Sequence, residues 1–141
     1  MLVSEIMNRF WEEQISPAIA IRSGLEAVRA MADAYIREIT LGEEHVRTLY
    51  VLMGEALGPV PEIRPVFAEL DRGFRSAFAR LIENGIEDGN IDPDVEPEEE
   101  AAALMSMLRG TTMQWLIDPG CFDLERMREF VGKWLERRLA R

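Results

Sequence analysis

Histidine and cysteine are almost absent from this chain: 141 residues hold one of each, His45 and Cys121. A single cysteine excludes an internal disulfide and suits a reducing cytoplasm. With one histidine, a zinc site would need mostly carboxylates, and no E-x-x-H pair exists to build a di-iron bundle. Gly85, Gly89 and Gly110 stand in no phosphate-cradling arrangement. No uncharged run approaches the length of a membrane span, and no signal peptide opens the chain. Positive charge is also scarce, with 16 basic against 26 acidic residues and a formal net charge of -10. From Glu83 to Glu100 there are nine acids and no lysine or arginine. Nucleic-acid binders need clustered cations to displace counterions from phosphates, so the chain is expected not to bind DNA or RNA by itself. The acidic run reads as a solvated loop plus a helix start; D-G-N-I-D-P-D lacks EF-hand spacing and carries a proline.

What is present is apolar residues at helical spacing. Hydrophobic residues make up 48% and charged residues 30% of the chain, a globular balance in which one domain spanning 1–141 buries a real core. Residues 2–15 place Leu2, Ile6 and Phe10, and again Val3, Met7 and Trp11, on one helical face without a convincing N-cap, and Ser16-Pro17 interrupts them. Ser23-Gly24-Leu25-Glu26 fits a capping box and opens a second helix with Val28, Ala32, Tyr35, Ile36 and Ile39. A third begins at Glu43 and turns Val46, Leu49, Tyr50, Met53 and Leu57 inward, ending at Gly58-Pro59. A long fourth runs from about Pro61 to Ile86 or Gly89. Asp123 caps a sixth, which ends among Arg137, Arg138 and Arg141. No segment alternates with period two between turn signals, so the fold class is all-α, about six helices joined by short loops.

The fifth helix, Pro97 to Ile117, differs from the rest. After Glu98, Glu99 and Glu100 its only charge is Arg109. At 100° steps, Leu104, Met105, Leu108, Thr112, Trp115 and Leu116 form a bulky face. Ala102, Ala103, Ser106, Gly110, Met113 and Ile117 form a small one. A helix apolar on two sides should be covered on two sides. The bulky side suits a core or pocket. The small side at Ala103, Ser106 and Gly110 suits a close helix partner, because a mid-helix glycine costs about 0.8–1 kcal/mol against alanine and close approach compensates it.

Large adaptable groups are spread over four helices: Met31, Tyr35, Tyr50, Met53, Phe74, Phe78, Met105 and Trp115, with Thr112 beside the last two. They suit the lining of an apolar cavity, since Tyr and Trp add a polar handle and Met adapts to irregular shapes. Core packing accounts for each one equally well, at roughly 1.5–3 kcal/mol per buried side chain. His45 reads as a surface or cap residue, and no serine or threonine has a base in sequence reach, so enzymatic activity is not expected.

The succession Leu81-Ile82-Glu83-Asn84-Gly85-Ile86-Glu87-Asp88-Gly89-Asn90-Ile91, then Asp92-Pro93-Asp94-Val95-Glu96-Pro97-Glu98, then Leu108-Arg109-Gly110 with Gln114-Trp115-Leu116-Ile117-Asp118-Pro119, resembles the C-terminal domain of TetR/AcrR-family transcriptional regulators. The resemblance implies an orthogonal and antiparallel helical bundle of the TetR C-terminal type. It implies a homodimer formed by a four-helix bundle from the last two helices, placing Ala103, Ser106, Gly110, Met113 and Ile117 with Met127, Val131 and Trp134 at the interface. It further implies a small apolar or amphipathic effector that controls DNA binding allosterically in a repressor; from the residues themselves no cofactor and no metal are expected. The family's helix-turn-helix precedes this domain, and residues 1–15 are expected to be a remnant of the connecting helix, with DNA contacted only through a missing N-terminal part. The rival reading is a helical interaction module that dimerises and holds no ligand.

Overall fold

The structure, a computed structural model, describes residues 2–141. Its elements in chain order are α1 (Leu2–Phe10), a π-helical turn (Trp11–Ile15), α2 (Ser16–Ala20), α3 (Gly24–Leu41), α4 (Glu43–Leu57), a 3-10 turn (Pro61–Ile63), α5 (Arg64–Asp88), α6 (Pro97–Ile117) and α7 (Leu124–Leu139). Since α1, the π turn and α2 run on without a break, the described residues form six helical rods. The only β-type pairing among them is an isolated antiparallel bridge between Ile91 and Ala140. The all-α expectation holds.

Ser16-Pro17 does not end the first helix. Pro17 has no amide proton to give, and its ring crowds the carbonyl one turn earlier. The chain widens that turn instead: the Ser16 amide bonds the Trp11 carbonyl, and Pro17 sits at the start of α2, where a missing donor costs nothing.

The start of α3 also departs from the sequence reading. Ser23 stands at the N-cap with an extended backbone, yet its side chain makes no capping hydrogen bond. The cap comes from 65 positions away, where Asn90 Oδ1 accepts from the Leu25 amide at 3.4 Å. Gly24 has φ +52°, and a Cβ there would lie 2.9 Å from the Gly85 Cα. Glycine is thus required twice over, by backbone conformation and by the crossing of α3 with α5. Asn90 follows Gly89, whose φ of +82° closes α5 in the left-handed conformation.

The same loop gathers the other end of the bundle. The Asp92 amide donates to Leu139 O at 2.8 Å, and the Arg141 amide to Asn90 O at 3.3 Å. Helix α3 runs through the centre, packed against α5 on one side and α7 on the other, while α6 packs chiefly on α5. The core is built from Val28, Met31, Ile36, Phe74, Phe78 and Leu104 with their neighbours. Leu57, expected inward, is exposed; Ala56 takes the buried position beside it. Asp123 caps α7 as expected, its Oδ1 accepting from the Glu125 and Arg126 amides at 2.8 and 3.1 Å. Arginine–carboxylate pairs tie the rods together: Arg128 to Asp33, Arg109 to Asp71, and Arg138 to Glu100. Glu100 is the one member of the acidic run that is buried, and Arg138 Nε reaches its Oε1 at 2.9 Å.

Candidate functional site

A cavity of about 80 Å³ opens where α1, the π turn, α3, α4, α5 and α6 converge. Its apolar wall includes Met7, Phe10, Ile39, Leu49, Met53 and Phe74. Phe10, Tyr35 and Phe74 pack ring against ring, with Tyr35 edge-on to Phe74 at 5.5 Å and Trp11 behind it at 5.1 Å. Such aromatic pairs fix a wall in place beyond what burial alone gives. A larger hollow of about 770 Å³ lies between α2, α3 and α7. It is an open groove lined by charged side chains and crossed by the Arg128–Asp33 pair, so it does not enclose a ligand. The smaller, more enclosed cavity is the candidate site.

Its polar groups fall into two sets. In the first, the Tyr35 and Tyr50 hydroxyls meet at 2.9 Å. Burial, followed by the neighbouring Tyr50, pushes the Tyr35 phenol well above its ordinary pKa, so it stays protonated. Beside it, Arg109 from α6 donates Nη2 and Nη1 to Asp71 of α5 at 2.7 and 3.2 Å. Burial works against the Arg109 charge, but the hydrogen bonds and charge of Asp71 more than offset it and hold the guanidinium cationic. Its Nε–H is buried and has no partner. The second set is Glu38, one turn along α3 from Tyr35, with His45 at the mouth. Glu38 Oε2 is likewise buried and unpartnered. Burial raises the Glu38 pKa, His45 opposes the rise, and Glu13 adds to it. No group of three or more ligating side chains among the described residues is placed to hold a metal ion.

The family model for the C-terminal domain of BetI-type transcriptional repressors, a TetR-class domain, matches residues 24–140. The chain belongs to this family. Its fold is also that of a solved TetR transcriptional regulator from Chloroflexus aurantiacus J-10-FL, with a TM-score of 0.76 at 16% identity over 99% of this chain and 69% of that one. No curated protein matches the sequence. No helix of this TetR-class domain among the described residues is long and apolar enough to cross a membrane.

Of the nine residues that sequence reasoning assigned to a pocket, the structure brings Tyr35, Tyr50, Met53, Phe74 and Thr112 to the cavity. Met31 and Phe78 do not reach it; they are fully buried core between helices. Met105 faces a separate shallow hollow beside Asp71, and Trp115 packs half-buried against the core outside the cavity. Six polar wall residues of this TetR-class domain were missed: Arg9, Glu13, Gln14, Glu38, His45 and Arg109. Arg109 carried a signal, as the one charge on α6 after its acidic first turn. Glu38 and His45 carried none, because a polar residue beside an apolar stripe ordinarily faces water.

The small face of α6 lies open on the single chain. Ala103 and Ser106 are exposed, Gly110 has nothing within 4 Å of where a Cβ would stand, and Met113 and Ile117 are 42% and 77% exposed. On α7, Met127 and Trp134 are half-buried. Val131 is a correction: at 1% exposure it belongs to the core of the single chain and is inaccessible to a partner. Its neighbour Phe130, 54% exposed, takes the outward position.

Proposed function

We propose that this TetR-class domain is a ligand-sensing and dimerisation module of a transcriptional repressor, non-catalytic, and that α6 is the element shared by the two duties. One observation carries the reading. Arg109 and Thr112 of α6 line the cavity, while Ser106, Gly110, Met113 and Ile117 of the same helix lie uncovered on its other side. A contiguous apolar face left open along one helix is a common mark of an interface. A ligand touching Arg109 would press on the helix that also meets the partner. It would shift the dimer's arrangement by its differential affinity for two states, commonly about 1–3 kcal/mol of coupling. Phe130, Met127 and Trp134 on α7 extend the uncovered surface, and two such helices from each of two copies would make a four-helix contact.

Gly110→Leu tests the face. Nothing stands within 4 Å of the added Cβ, so the single chain accommodates the substitution and a folding defect does not confound the result. Native mass spectrometry should show a dimer for the wild type and a shift toward monomer for the variant. An unchanged dimer would move the interface elsewhere. A wild type that stays monomeric at tens of micromolar would remove the dimerisation half of the reading.

A further inference from the structure

Among the described residues, two buried side-chain polar atoms lack a hydrogen-bond partner, and both belong to residues that line one cavity: Arg109 Nε, a donor, and Glu38 Oε2, an acceptor. Native interiors leave few such atoms, and each calls for an explanation, a bound water or a ligand among them. Their senses are opposite. The Tyr35–Tyr50 pair adds to the donor side, because two hydroxyls joined by one hydrogen bond keep one proton uncommitted whichever of them donates. Asp71 occupies only the far end of the Arg109 fork, Nη1 and Nη2, leaving the Nε edge unmatched. Most of the remaining wall is apolar, with Phe74, Ile39, Leu49 and Met53, although Arg9, Glu13 and Gln14 also line it. Tyr35 and Glu38 are three residues apart on α3, so their Cβ atoms stand about one helical turn apart, roughly 5–6 Å.

We infer that the effector, rather than being wholly apolar, is a compact bipolar molecule. An acceptor oxygen at one end meets Arg109 Nε and the one uncommitted tyrosine proton, an O–H or N–H donor at the other meets Glu38, and a short apolar body lies between. The inference rests on the ligand-sensing reading above and narrows it to a chemical class. Size bounds it further. A cavity that holds benzene measures about 150 Å³, roughly twice the volume found here, so a one-ring ligand enters by displacing side chains. Met7 and Met53, unbranched and adaptable, are the walls that yield.

Calorimetry with four shape-matched probes tests this: 4-hydroxybenzoate, with both ends; benzoate, lacking the donor; p-cresol, lacking the carboxylate; and toluene, lacking both. 4-Hydroxybenzoate should bind tightest, with benzoate and p-cresol each weaker by about tenfold, the worth of a hydrogen bond to a charged group. Arg109→Met should abolish the preference of benzoate over toluene and leave p-cresol unaffected. Glu38→Leu should remove the advantage of 4-hydroxybenzoate over benzoate without changing the affinity for benzoate itself. The two preferences, benzoate over toluene and 4-hydroxybenzoate over benzoate, are read within each variant, so a general loss of stability leaves them unmoved. Met53→Ala, which enlarges the cavity, serves as the control for size. If toluene binds as tightly as 4-hydroxybenzoate, the bipolar assignment fails and the pocket reading survives. If none of the four binds either the wild type or Met53→Ala, both fail, and the two atoms are completed by water alone.

Discussion

Glu38 shows how a single residue's surroundings reverse its ordinary behaviour. Burial raises its pKa in the folded chain above the 4.5 of an unperturbed glutamate. Above the folded pKa the ionised carboxylate therefore subtracts from stability. The penalty shrinks as pH falls through the folded pKa and is gone below about 4.5, where both states hold the proton. Glu38→Gln, a neutral isostere, should accordingly raise the melting temperature at pH 7 and leave it nearly unchanged at pH 4. An equal gain at both pH values would show that charge burial is not the cause. At this scale the sequence was half legible. Tyr35, Tyr50, Met53 and Phe74 announce themselves as large groups on helical stripes. Glu38 does not, since what buries it is the approach of α4 and the π turn, and that is decided by tertiary packing.

At the scale of elements, helix boundaries were legible where the signal is local and misread where it is remote. Asp123 caps α7 with its own side chain, and Gly89 closes α5 by its own left-handed backbone. Ser23-x-x-Glu26 had the right letters for a capping box, but Asn90 supplies the cap, and nothing near Ser23 encodes it. Likewise the proline at position 17 marks a disturbance without saying whether the chain breaks or widens. The glycine that lets α3 begin beside α5 should be costly to replace. Gly24→Ala meets both a positive φ and the Gly85 backbone, so chemical denaturation should show a loss of about 1–3 kcal/mol. Gly110→Ala, on an open helix face, should be neutral or slightly stabilising in the single chain. Similar losses at the two positions would mean that the α3–α5 crossing tolerates more slack than its geometry implies.

For the whole molecule, the all-α architecture, the helix order and the two-sided character of α6 were readable from periodicity, because each is repeated over many residues. Which faces meet was not. Val131 and Phe130 are adjacent on α7, and only the packing of α7 on α3 decides that the first is core and the second surface. The cavity itself is a property of six converging elements, and no stretch of sequence contains it.

The loop around Asn90 also has a kinetic consequence. It joins the start of α3, the end of α5 and the end of α7 through Leu25, Leu139 and Arg141. Those three helices should therefore open together, in one cooperative event near the global unfolding free energy. Helix α4 has no part in that junction and packs only lightly on α3 and α5. Its ties across the bundle are the Tyr35–Tyr50 hydroxyl contact and Arg47 Nη1 donating to Leu116 O at 3.1 Å. In native-state hydrogen exchange, α4 amides should thus exchange through a lower-energy local opening, ahead of α3, α5 and α7. Protection of α4 equal to that of α3 would contradict this. Because α4 carries Tyr50 and Met53, the wall of the cavity that comes loose first is also one that a bound ligand would touch, and occupancy should slow its exchange selectively.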